Sequence, residues 1–173
     1  MVLVKQANHR YLLSFGSNLG NRQENCQFGL ELLSQHVRNI RCSRWISTEP
    51  LTSPEYDTTD HQDYLNFVLE VSSCLSPAQL YRMIVSIEDK IGHSRADKWL
   101  PRQLDIDILF WANNDHRDFV SCSPLSYSNI DDDLLIPHQG FWSRDFLLNL
   151  IEKDLCIPLH ALRAGHRRPV HEL

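Results

Sequence analysis

Leu104-Asp105-Ile106-Asp107-Ile108-Leu109-Phe110-Trp111 alternates carboxylate and aliphatic side chains and then turns apolar. A period of two marks a strand, and it sends Asp105 and Asp107 to one face and Ile106 and Ile108 to the other. Upstream, Gly92 to Pro101 reads as a charged loop. Before it, Ser76-Pro77 open a helix as N-cap and first helical residue, and Leu80, Ile84 and Ile87 keep helical spacing to about Lys90. Tyr64 to Val71 precedes that helix as another strand. At the N-terminal side, Tyr11 to Phe15 is a short strand ending in a turn at Gly16-Ser17-Asn18, and Asn25 to His36 carries Phe28, Leu32 and Leu33 at helical spacing. Ile40 to Thr48 alternates as a second strand and leads into a long loop, Glu49 to Asp60, that collects Pro50, Pro54 and acidic residues.

The order strand, helix, strand, strand, helix, strand predicts an α+β fold, a ferredoxin-like antiparallel sheet with helices packed on it. The C-terminal additions are an irregular acidic stretch, a short apolar Leu134 to Pro137 and a helix near Arg144 to Glu152. The 173 residues suit one domain, 1–173, with a core of about 11–160 and a flexible C-terminal tail rich in Arg and His.

A formal charge of −5 argues against a surface built to neutralise a nucleic-acid backbone, so the anion handled is expected to be small and nucleic acid is excluded as a partner. Cys26, Cys42, Cys74, Cys122 and Cys156 are odd in number and form no Cys-x-x-Cys pair, so they read as reduced packing residues. Charged or polar residues interrupt every apolar run, giving the expectation of a cytoplasmic protein with no membrane partner.

Four constellations can carry chemistry. Asp105 and Asp107 converge beside Arg102, and oxygen ligands at that spacing suit Mg²⁺, which takes one or two carboxylates and completes its octahedron with water and phosphate oxygens. Taken alone, Asp-x-Asp is more often a solvated strand face. His93, Arg95, Lys98 and Arg102 form a basic cluster with Trp99 in the Gly92 to Arg102 segment, suited to closing over a polyphosphate. His138 after Pro137, with Arg144 and Phe146, adds donors and an aromatic face, although each has an ordinary structural role open to it. Tyr64 and Asn66 share a strand face, where a ring can stack on a heterocycle and an amide can read its edge.

In order along the chain, Phe15-Gly16-Ser17-Asn18-Leu19-Gly20, Thr48-Glu49-Pro50-Leu51, Asp63-Tyr64-Leu65-Asn66, Ile87-Glu88, Trp99-Leu100-Pro101-Arg102-Gln103-Leu104-Asp105-Ile106-Asp107-Ile108-Leu109, Ile136-Pro137-His138 and Arg144-Asp145-Phe146 resemble the 6-hydroxymethyl-7,8-dihydropterin pyrophosphokinases. The resemblance covers roughly residues 11 to 160. It implies a magnesium-dependent enzyme that moves pyrophosphate from ATP to the pterin alcohol in folate biosynthesis, with two Mg²⁺ ions, and a monomer working on small molecules. It further implies that Asp105 and Asp107 hold the metals and that Arg95 and Arg102 join them in catalysis. Glu88, Arg95, Lys98, Trp99, Arg102, Ile108, His138 and Arg144 are implied to meet ATP. Thr48, Glu49, Leu51, Tyr64, Asn66, Asp105 and Phe146 are implied to meet the pterin.

The pattern departs from the family at His93 and Lys98, where arginine is frequent, and at Leu100, where glycine is common. Neutral imidazole cannot replace a permanently charged bidentate guanidinium, so a member that binds both substrates but catalyses weakly is one alternative. A non-catalytic ferredoxin-like binding module is the alternative from another class; neither a basic RNA-binding face nor a Cys-x-x-Cys metal loop supports it.

Overall fold

The computed structural model describes residues 9–52, 57–92, 100–112, 122–125, 134–138 and 140–166. In chain order the elements are β1 (His9–Ser17), α1 (Arg22–Ser34), β2 (Arg38–Cys42), β3 (Ile46–Thr48), β4 (Tyr64–Ser73), α2 (Pro77–Ile91), β5 (Asp105–Ala112), β6 (Cys122–Leu125), β7 (Leu134–Ile136), α3 (Asp145–Asn149) and α4 (Leu159–His166). A 3₁₀ turn at Phe141–Ser143 precedes α3, and a π-helical turn at Leu150–Asp154 follows it. The main sheet is antiparallel and runs β2-β4-β1-β5, with β3 also on β4. With β2 and β3 counted as one interrupted strand, this is the ferredoxin-like order, and four helices pack on it. β6 and β7 make a separate two-stranded ribbon.

Local sequence explains where the elements begin and stop. Ser76 caps α2 in a reciprocal box with Gln79, Pro77 fills the first turn where no N–H is needed, and Gly92 ends the helix in a left-handed conformation. Asn21 caps α1 by accepting from Glu24 N at 3.3 Å. The stretch read as one strand over Ile40 to Thr48 is two, because Ser43 intervenes. Its N–H donates to Val68 O at 2.9 Å, while its hydroxyl accepts from Val68 N at 2.9 Å. A side-chain oxygen therefore stands in for a main-chain carbonyl, and the ladder breaks. The helix read near Arg144 to Glu152 is likewise two pieces, α3 and the π turn. Residues 163–166, read with the tail, continue α4; residues 167–173 lie outside the described residues.

Each face of the sheet has its own core. One face buries Tyr11, Leu13, Phe15, Phe67, Leu69, Ile106 and Ile108 against Cys26 and Leu33 of α1 and Leu80, Ile84 and Ile87 of α2. Phe15, Phe67 and Trp45 stack in series there, with centroids 4.8 and 4.4 Å apart. α1 approaches closely because residue 29 is glycine: a methyl there would lie 2.5 Å from Leu104 Cδ2. The opposite face is covered for half its length, where Leu12, Val68 and Phe110 meet Phe141, Leu147, Leu150, Ile151, Leu155 and Leu162.

That C-terminal layer is also tied down by polar bonds. Glu70, 7% exposed, pairs with Arg10 and with Arg41 at 2.5 Å, and Arg41 Nη2 donates onward to Leu155 O at 2.5 Å. Arg44 N donates to Asp154 Oδ2 at 2.8 Å. Of the cysteines whose side chains are described, only Cys26 is a packing residue; Cys42, Cys74 and Cys156 are exposed, and all four are free. Burial pushes the Cys26 thiol up to about 12, so it stays protonated. Among the described residues no helix is long and apolar enough to cross a membrane.

Candidate active site

Where the C-terminal layer stops, the sheet face it would have covered lies open as a cleft of about 640 Å³. Strand register decides what lines its floor. Gly16 of β1 is the partner of Asn66 on β4 and of Asp105 on β5, and Ser14 is the partner of Val68 and Asp107. Partners across a ladder share a face, so Asn66, Gly16 and Asp105 form one row and Ser14 and Asp107 lie in the next. Gly16 is needed in that row: a methyl there would sit 3.0 Å from Asn66 Oδ1 and 3.4 Å from Tyr64 Cδ1.

The pairing of Asp105 and Asp107 on one face, with Ile106 and Ile108 beneath, is as the alternation predicts. Arg102 Nη1 reaches Asp105 Oδ1 at 2.7 Å. From the C-terminal layer, His138 Nε2 lies 3.9 Å from Asp107 Oδ1, and Arg144 Nη1 lies 3.7 Å from Asp107 Oδ2. Gly140 N donates to His138 Nδ1 at 3.3 Å, which leaves the neutral ring's proton on Nε2, the nitrogen nearer Asp107. Burial, and then the charge of Asp105, push the Asp107 carboxyl above its ordinary value, against the pull of His138, Arg144 and Arg102. Two carboxylates crowded on one strand face, each partly withdrawn from water, favour a proton or a cation between them.

The second wall is aromatic and amide-bearing. Asn66 Nδ2 donates to Thr48 Oγ1 at 2.7 Å, fixing which way the amide faces. Tyr64 lines the cleft from the sheet and Phe146 from the C-terminal layer, with Glu49 and Leu51 at the start of the loop after β3. Burial, then Asp105, hold the Tyr64 phenol above its usual value, so it stays neutral.

Thr48, Glu49, Leu51, Tyr64, Asn66, Glu88, Arg102, Asp105, Asp107, His138, Arg144 and Phe146 therefore share one cleft. Ile108 does not line it. Its side chain is 4% exposed in the core under the sheet, as the same alternation requires. Glu88 lines the cleft but is 3% exposed, and its Oε1 accepts from Ile106 N at 2.7 Å. His93, Arg95, Lys98 and Trp99 lie outside the described residues. Ser14, Thr58, His61 and Tyr81 also line the cleft and were not singled out by sequence. The register of β1 could have found Ser14, and Tyr81 lies seven residues before Glu88 on the same helical face. Thr58 and His61, in an irregular loop, carry no periodic signal.

A ferredoxin-like α+β protein with paired carboxylates, guanidinium groups and an aromatic-amide wall in one cleft is equipped as a phosphoryl-transfer protein, where positioning and charge stabilisation dominate. The family model for 7,8-dihydro-6-hydroxymethylpterin-pyrophosphokinase (HPPK) matches residues 12–153. The chain belongs to that family. It is 34% identical over 146 residues to the folate synthesis bifunctional protein of Chlamydia caviae, covering 83% of this chain and 30% of that protein. It is 28% identical over 141 residues to the bifunctional protein FolKE of Lactococcus lactis subsp. cremoris, covering 80% of this chain and 35% of that protein. With the 2-amino-4-hydroxy-6-hydroxymethyldihydropteridine pyrophosphokinase of Bacillus subtilis it shares 28% identity over 143 residues, 82% of this chain and 75% of that protein. The chain thus spans about a third of the length of the bifunctional relatives.

Proposed function

We propose that this protein transfers the pyrophosphoryl group of ATP to 6-hydroxymethyl-7,8-dihydropterin, giving AMP and the pterin diphosphate. The observation that carries the reading is the meeting, in one cleft, of the Arg102-Asp105-Asp107-His138-Arg144 cluster with the Thr48-Tyr64-Asn66-Phe146 wall.

The residues fit magnesium. Asp105 and Asp107 offer hard oxygen donors side by side on one strand face of an open cleft, where water and phosphate oxygens can complete the coordination. Asp105 and Asp107 would hold two Mg²⁺ ions, whose chemistry when bound is to neutralise charge on the attacking and leaving oxygens. Arg102 and Arg144, with His138, offset phosphate charge and hold the chain of phosphates in line. Tyr64 and Phe146 hold the pterin ring, while Asn66, oriented by Thr48, reads its edge with Glu49 and Leu51 beside it. The pterin hydroxyl oxygen bonds to the β-phosphorus, the bond from that phosphorus to the α-bridging oxygen breaks, and AMP leaves; the hydroxyl proton passes to solvent. Glu88, Arg95, Lys98 and Trp99 complete the nucleotide side in this reading, by resemblance to the family.

In the same proposal the protein acts as a monomer and as a single domain, 1–173, in the cytoplasm. The test is a coupled assay of AMP formation with 6-hydroxymethyl-7,8-dihydropterin and Mg²⁺·ATP. AMP forms with the wild type and is lost in Asp105→Ala and Asp107→Ala, which stay folded. Absence of AMP with a folded wild type, or near-normal turnover in both variants, refutes the assignment.

A further inference from the structure

Among the described residues β5 is an edge strand, paired on one side only, with β1. The ladder ends where Gly16 faces Asp105. Edge strands leave outward N–H groups without a ladder partner and open more readily than central ones, yet this edge carries both carboxylates. Two side chains outside the ladder hold it. Past the last pair, Asn18 binds Arg102 at two points: Asn18 N donates to Arg102 O at 3.0 Å, and Arg102 N donates to Asn18 Oδ1 at 2.7 Å. On the outward side, Ile106 N, midway between the carboxylates, donates to Glu88 Oε1 at 2.7 Å. Asn18 is 1% and Glu88 3% exposed, so water cannot readily substitute for either.

We propose that Asn18 and Glu88 are positioning residues that set the spacing of Asp105 and Asp107 and the aim of Arg102 by clamping the backbone of β5 from outside its ladder. The inference rests on the reading of the two aspartates as cation ligands. Asn18 extends the β1 pairing by one two-bond step, so the guanidinium that meets Asp105 starts from a fixed main chain. Glu88 ties the same strand to α2, a helix capped at both ends whose inner face packs in the core. Its contribution here is an acceptor oxygen, and a neutral amide in its place supplies one equally well. Partners of this outer kind typically shift metal affinity or activity by about 10- to 100-fold when removed.

The test measures Mn²⁺ binding to nucleotide-free protein by electron paramagnetic resonance, beside thermal unfolding, for the wild type, Asn18→Ala, Glu88→Ala, Glu88→Gln and Asp105→Ala. Glu88→Ala and Asn18→Ala are expected to bind Mn²⁺ about 10- to 100-fold more weakly, with Glu88→Gln within about threefold of the wild type. Glu88→Gln as weak as Glu88→Ala overturns the clamp, since charge would then be what matters. Wild-type binding that Asp105→Ala abolishes, with both alanine variants unchanged, overturns this inference and leaves the site reading standing. A wild type that binds no Mn²⁺ overturns both. Amide hydrogen exchange of the wild type needs no variant to fold: Arg102 and Ile106 N–H should exchange as slowly as the β1-paired amides of β5, and rapid exchange of both refutes the clamp.

Discussion

Replacing Gly16 with alanine should damage the pterin side of the cleft and spare the nucleotide side. The new methyl would lie 3.0 Å from Asn66 Oδ1, too close without a shift of a few tenths of an ångström, and 3.4 Å from Tyr64 Cδ1, at the near limit of ordinary contact. Neither neighbour yields freely. The Asn66 amide is held by Thr48 Oγ1 at 2.7 Å and is 8% exposed, and Tyr64 is half-buried beside it. Displacing the amide forfeits a hydrogen bond worth about 0.5–1.5 kcal/mol. Tilting the ring away from a stacked heterocycle forfeits about 0.5–1.5 kcal/mol more. Together these give about 1–3 kcal/mol, or roughly 5- to 150-fold in pterin affinity. Alanine in a strand also relieves glycine's entropy cost of about 0.5–1 kcal/mol, so the fold should survive and the loss is one of binding. Equilibrium titration with the pterin, followed by its fluorescence, and a parallel nucleotide titration measure the effect. Unchanged pterin affinity would show that a methyl at residue 16 leaves Asn66 and Tyr64 where they are, and equal losses for both ligands would show that its effect is not confined to the pterin side.

Asp107→Asn should raise the melting temperature of cation-free protein. The carboxyl is pushed above its ordinary value by burial and then by Asp105, so its favourable contribution is present below the ordinary aspartate pKa of about 3.9 and is lost as pH rises through the raised value. The gain measured in EDTA at pH 7 should vanish near pH 3; an equal gain at both pH values contradicts the account. Tyr64→Ala and Phe146→Ala should each weaken pterin binding by roughly three- to tenfold beyond lost area, with smaller changes for nucleotide in the same titrations. If His93 meets the phosphates, kcat at saturating Mg²⁺·ATP should fall as pH rises through the imidazole pKa of about 6.5, and His93→Arg should flatten that limb; superimposable profiles would remove His93 from the phosphates.

Periodicity made the core of the fold legible, because β1, β4, β5, α1 and α2 each bury one regular stripe. Ser76-Pro77 gave the start of α2 for the same reason: a cap is a local interaction that sequence states directly. The split at Ser43 was not legible, since it depends on a hydroxyl meeting Val68 across the sheet. α4 escaped because its residues lie in a stretch rich in basic and histidine side chains, where packing on the C-terminal layer decides the outcome. In the cleft, alternation placed Asp105 and Asp107 correctly and, read one residue further, placed Ile108 in the core. Gly16 and Asn18 stood within a quoted motif, but their roles arise from register and from a contact with Arg102, and neither is written in spacing.

The tie between Glu70, Arg41 and the Leu155 carbonyl bears on the order in which the molecule becomes competent during synthesis. The sequence of the sheet and its two helices is complete at Ala112, and by then the aspartates and the sheet's share of the aromatic-amide wall, Thr48, Tyr64 and Asn66, have been made. His138, Arg144 and Phe146 arrive later, on a layer tied to the sheet in part where Arg41 meets the Leu155 carbonyl. A chain cut after α3 and before Leu155 would lose both that tie and the packing of Leu155, Ile157 and Leu162, which together hold three cleft-facing side chains in place.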